Sequence, residues 1–130
     1  MLAVDTSVLV RFLARDDPHQ TARADNLIRA NRIWISKTVL LETEWVLRDA
    51  YSFDRARIVA DFRGLVGIPT VLAEDETAVA EALDYFASGM DFADALHLAS
   101  YGPAAQFATF DRRFAAKAAK LTASRTVLLS

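Results

Sequence analysis

Cysteine is absent from this chain of 130 residues, which excludes disulfides and thiolate metal sites. Histidine occurs only at His19 and His97, too few to build a zinc site on imidazoles. No apolar run approaches the length of a membrane span, and Met1 to Val4 have no basic side chain and are too short for an export core. The expectation is therefore a cytoplasmic protein with no membrane attachment. An excess of positive charge is missing too: 15 Lys and Arg stand against 17 Asp and Glu, a formal net charge of −2. That excludes a protein holding nucleic acid by a broad basic surface, but not a nucleic-acid enzyme whose acids are neutralised by metal ions. What is present, 53% hydrophobic and 25% charged residues, is the composition of an ordinary globular protein. The length suits a single domain over residues 1–130 that buries about two-thirds of its unfolded surface.

The chain opens with Leu2-Ala3-Val4, follows with Asp5, and then places Val8, Leu9, Phe12 and Leu13 at helical spacing. That pattern predicts a strand, an acid and a helix, with Asp5 at the carboxyl end of the strand, where open α/β sheets keep their ligand crevices. Helix capping explains one such acid by itself. Asp16-Asp17-Pro18 reads as a solvated turn entering a second helix that continues from Gln20 to Asn31. Ile33-Trp34-Ile35 reads as a buried strand, with Ser36 or Thr38 capping a helix to about Tyr51. Asp54 is expected to cap a helix over Phe53 to Val66, and Thr70-Val71-Leu72 to form a strand. Asp75 is expected to cap the helix from Glu76 to Ala87, which Gly89 follows. A helix beginning near Asp91, a strand over Gln106 to Phe110, a basic helix from Arg112 to Lys120 and a closing strand at Val127 to Leu129 complete the order.

Further acids point beyond capping. On a helical wheel Glu42 lies among Val39, Val46, Thr38 and Trp45, whereas Glu44 falls on another face with Arg48 four residues on. Glu44 thus reads as a surface ion pair, and Glu42 as a carboxylate on an apolar face that needs a cation. Asp91 and Asp94 share one face at a helix start, where a capping box would also account for them. His97, among Leu96, Leu98 and Tyr101, reads as a packed histidine or one that supports a neighbouring site residue, rather than as a metal ligand. Asp111 repeats the slot of Asp5 at a strand end.

Short apolar strands alternating with helices predict an α/β domain with a mostly parallel sheet of about five strands and helices on both faces. Its carboxyl edge would gather Asp5, Glu42, Asp94 and Asp111, with Asp91 near the rim. Oxygen-only ligands favour Mg²⁺ or Mn²⁺, which suit phosphodiester hydrolysis.

The segments Asp5-Thr6-Ser7-Val8-Leu9-Val10-Arg11-Phe12-Leu13, Asp16-Asp17-Pro18, Val39-Leu40-Leu41-Glu42 with Trp45-Val46-Leu47, Asp91-Phe92-Ala93-Asp94-Ala95-Leu96 and Thr109-Phe110-Asp111-Arg112 together resemble PIN-domain ribonucleases. More narrowly, they resemble the toxins of VapBC-type toxin-antitoxin pairs. The resemblance implies a three-layer PIN-like fold with strand order 3-2-1-4-5 and an endoribonuclease dependent on Mg²⁺ or Mn²⁺. It also implies catalytic and metal-binding roles for Asp5, Glu42, Asp94 and Asp111, with Asp91 as an additional acid near the metal. Thr6 or Ser7 and Thr109 would orient carboxylates. The implied partners are RNA, a cognate antitoxin and a second copy of the chain.

An aspartyl phosphotransferase with an Asp-x-Asp motif would need an acid at position 7, where Ser7 stands. A receiver-like module using Asp5, Asp16 and Asp17 leaves Glu42 and Asp94 without a task. A non-catalytic PIN-like or receiver-like domain that binds metal or a partner remains the alternative.

Overall fold

The computed structural model describes residues 1–102, 104, 106–123 and 126–130. The chain divides into two compact units, Met1–Glu76 and Thr77–Ser130.

The first unit runs β1 (Leu2–Ala3), α1 (Thr6–Ala14), α2 (Pro18–Ala30), β2 (Ile33–Ile35), α3 (Lys37–Ala50), α4 (Arg55–Val66) and β3 (Val71–Ala73). β2 lies between β1 and β3, all parallel, with Leu2 opposite Ile33 and Ile33 opposite Val71. Ile33, Ile35, Val71 and Ala73 point inward while Trp34 stays partly exposed, the alternation of a strand pleat. Helix starts are set by short polar side chains, each accepting from a backbone N–H left unpaired in the first turn. Asp17 caps α2, Ser36 caps α3 and Asp54 caps α4. α1 packs against α2 and α3, burying Leu9 and Val10 with Ile28, Leu40 and Leu47.

The second unit takes α5 (Glu76–Ala87, its first residue in the preceding unit), α6 (Phe92–Ala99), β4 (Phe107–Thr109), α7 (Arg112–Leu121) and β5 (Thr126–Leu128). β4 and β5 are parallel, with Phe107 opposite Thr126. Phe86 and Phe92 meet edge to face at 5.2 Å between ring centres, a favoured aromatic geometry. Gly89 turns the chain between α5 and α6 at φ 111°, a conformation costly for any residue with a Cβ.

The α/β class with parallel strands agrees with the expectation from the sequence; the single five-stranded sheet does not. The described residues form a three-stranded and a two-stranded sheet, whose orders match the pieces 3-2-1 and 4-5. Residue patterning marks where short strands lie, but strands of two or three residues make too few ladder bonds for it to specify every pairing. Asp75 also differs from a cap: it sits at φ 54°, outside the extended region of an N-cap, and its carboxylate pairs with Lys37 at 3.1 Å. Among the described residues, no helix is long and apolar enough to cross a membrane.

Candidate active site

Asp5 stands between β1 and α1 in extended conformation and caps α1. Its Oδ1 accepts from Ser7 N at 3.0 Å, Val8 N at 3.4 Å and Ser7 Oγ at 2.6 Å. All three bonds fall on one oxygen, so Oδ2 has no hydrogen-bond donor among the described residues. The Ser7 hydroxyl is the main influence holding the Asp5 carboxyl below its usual pKa, with the backbone bonds adding to it against partial desolvation. Capping and a second role are therefore compatible in Asp5, because they use different oxygens.

Thr6, the first residue of α1, donates its hydroxyl to Glu42 Oε1 on α3. Thr6 and Ser7 thus divide the work the sequence left undecided between them: one orients Glu42, the other Asp5.

Glu42 does not lie on a buried apolar face as its helical position predicts. Glu42 is exposed, and Trp45, expected beside it on an inward face, is 54% exposed. The buried face of α3 is Leu40, Thr43, Glu44 and Leu47. Glu44, read from the sequence as a surface residue, is only 2% exposed; Arg48 Nε lies 2.8 Å from its Oε2. α3 carries apolar residues almost all round, so periodicity alone left two possible inward stripes. Packing against α1 and α4 selects the one through Leu40 and Leu47. Glu42 remains a candidate by its contact with Thr6, not by burial.

In the second unit Asp91 occupies the N-cap position of α6 but makes no side-chain capping bond. The capping-box explanation consequently fails for it. Asp94 is half-buried. Burial pushes its carboxyl pKa up, and the charges of Asp91 and Asp111 push it further, against the opposing influence of His97 and Lys117. Asp111 caps α7 through Oδ1, which accepts from Phe114 N at 3.0 Å. Thr109 Oγ1 accepts from Asp111 N at 3.0 Å, so Thr109 fixes the backbone of Asp111 rather than its carboxylate. His97 is exposed, which corrects the packed half of its reading, while its influence on Asp94 leaves the supporting half standing. α6 has eight residues, and its inward stripe through Phe92, Ala95, Leu96 and Leu98 leaves position 97 outside.

Lys117 was missed in the sequence. Its Nζ donates to Gly89 O at 2.9 Å, placing a cation near Asp94. The available signal was its place on α7, between the buried Phe114 and Ala118.

The donor chemistry in both units is carboxylate oxygen, suited to a hard divalent cation. Asp5 has an uncommitted oxygen, and Asp94 feels two neighbouring acids. Among the described residues, however, no group of three His, Asp or Glu side chains is already arranged to hold a metal ion. These acids therefore fit a metal by chemistry and not as a ready-made cage.

A family model described as PIN domain matches residues 2–120. Comparison with curated proteins and with solved structures gives no match.

Proposed function

Because the chain belongs to the PIN-domain family, whose members are generally metal-dependent nucleases, we propose that it is an endoribonuclease dependent on Mg²⁺ or Mn²⁺, the toxin of a toxin-antitoxin pair. The observation that carries the nuclease reading is the start of α1, where consecutive hydroxyls bond to two carboxylates, Thr6 to Glu42 and Ser7 to Asp5. Such bonds fix the orientation of a carboxylate, as a cation ligand requires, and the one from Ser7 also holds the Asp5 carboxyl below its usual pKa.

Asp5 and Glu42 in the first unit and Asp94 and Asp111 in the second are assigned the metal-binding and catalytic roles, with Asp91 as an additional acid. Mg²⁺ or Mn²⁺, when bound, supplies charge stabilisation at a phosphate and an activated water. The chain's own contribution differs from acid to acid. Ser7 holds Asp5 in its charged form. Thr6 fixes Glu42. Asp94, half-buried and beside the charges of Asp91 and Asp111, is the acid whose charge gains most from a cation. Thr109 sets the backbone from which Asp111 projects.

The toxin role rests on the resemblance of the motifs, and carries with it a homodimer and an inhibiting antitoxin. A cationic side chain from that antitoxin, Arg or Lys, would meet the anionic pair Asp5 and Glu42 and compete with metal. Brief expression without an antitoxin, followed by growth measurement and mapping of cleavage in total cellular RNA, tests this reading. Expression of the parent should slow growth and leave new RNA ends, whereas Asp5→Asn should do neither. Equal toxicity of both forms would contradict a nuclease mechanism.

A further inference from the structure

A cleft of about 540 Å³ opens in the first unit along α1 and α2, lined among others by Ser7, Val8, Arg11, His19, Arg23 and Leu27. Its size falls within the ~300–1,000 Å³ of small-molecule sites, large for a bare ion and adequate for a nucleotide. No Asp or Glu lines it. Val8 and Leu27 are half-buried, while Arg23 is exposed, giving an apolar floor under a rim that carries a guanidinium.

The two arginines are not equivalent. Arg11 is held by Gln20, Asp16 and Tyr51, so its position is fixed and Asp16 offsets part of its charge. Arg23 and His19 make no hydrogen bond or ion pair among the described residues. Arg23 is therefore available to an incoming anion. Ser7, whose hydroxyl bonds to Asp5, is one of the residues lining the cleft.

We propose that this cleft holds one nucleotide of a single-stranded RNA next to the bond being cut, with its phosphate on Arg23 and its base against Val8 and Leu27. The assignment rests on the ribonuclease reading, which makes the occupant of a cleft beside Asp5 a phosphodiester chain. A nucleotide presents one anion and one flat apolar face, matching a rim cation above an aliphatic floor. Local charge complementarity also explains how a chain of net charge −2 engages a polyanion without a broad basic surface.

The test measures binding of a fluorescent single-stranded RNA to the full chain across a KCl series, in the Glu42→Gln background to prevent cleavage, beside cleavage by the forms with Glu42 intact. Arg23→Ala should weaken binding about 3–10-fold at 0.1 M salt and lower the slope of log affinity against log salt by about one. Leu27→Ala should weaken binding while leaving that slope unchanged. Arg29→Ala, on the same helix but outside the cleft, is the control for general charge. If the parent cleaves RNA while Arg23→Ala binds it no worse than Arg29→Ala does, the cleft belongs to another ligand, a protein partner included, and the proposal is overturned with the nuclease reading intact. If the parent neither cleaves nor binds RNA, the nuclease reading fails and this proposal with it.

Discussion

The Ser7 hydroxyl donates to Asp5 Oδ1 across 2.6 Å, two residues apart at the start of α1. Because this bond is the main reason the Asp5 carboxyl lies below its usual pKa, Ser7→Ala should move that pKa up towards its ordinary value. The acid limb of the cleavage profile should then shift to higher pH. For stability the sign is that of a depressed acid: the contribution is present above the unfolded pKa and lost as pH falls through the folded one. Parent and Ser7→Ala should accordingly converge in strong acid and separate slightly above the ordinary carboxylate range. Paired pH-rate and thermal-midpoint profiles check both statements.

Glu42→Gln and Glu44→Gln should have opposite effects. Glu42 is exposed and bonded to Thr6, so its amide should abolish cleavage and change stability by no more than about 0.5 kcal/mol. Glu44 is buried against Arg48. Its amide weakens a charge-assisted pair and should cost about 1–3 kcal/mol while sparing the chemistry. Denaturant unfolding and a cleavage assay on both variants separate the two roles.

That contrast shows where the sequence was legible and where it was not. The helical wheel and the motif both single out Glu42, but the burial expected of it belongs to Glu44. Local signals held where they were simplest: Asp5, Ser36 and Asp54 cap the helices they precede, because a cap depends on residues within three positions, whereas Asp91 makes no capping bond and Asp75 sits at φ 54°. The Ile33–Ile35 strand is where alternation puts it. The inward stripe of α3, the exposure of His97 and the pairing of strands depend on distant packing, which periodicity does not encode. Nor does spacing reveal that Lys117 reaches Gly89, 28 residues earlier.

Asp94 carries a raised pKa from burial and from Asp91 and Asp111. For an acid shifted this way the native state holds its proton more tightly than the unfolded state, so stability falls as pH rises through the window between the two pKa values. Asp94→Asn should therefore be more stable than the parent at pH 7, with the difference disappearing in strong acid. Added Mn²⁺ should reverse the order by stabilising the parent, by about 2.7 kcal/mol at 100 times its Kd, and have little effect on Asp94→Asn. Thermal midpoints at two pH values, with and without Mn²⁺, decide this.

Asp111 combines a cap with its assigned catalytic role, and substitution can separate them. Asp111→Asn keeps a capping oxygen for Phe114 N, so it should retain the parent's stability. Asp111→Ala should lose about 1 kcal/mol. Both should lose cleavage, since neither retains the charge. An active Asp111→Asn would leave Asp111 with capping alone.

The central claim, that carboxylates fixed by the hydroxyls at the start of α1 make this chain a metal-dependent ribonuclease, is tested most directly by one titration. Purified parent, Asp5→Asn and Glu42→Gln are incubated with single-stranded RNA over a series of Mn²⁺ concentrations, with a chelator as the zero point. The prediction is saturable cleavage by the parent, none under chelator, and losses of at least about 100-fold in both variants, the scale set by removing a group that stabilises charge in a transition state. Parent cleavage that persists under chelator, or variants that cleave as fast as the parent at every Mn²⁺ concentration, would contradict it.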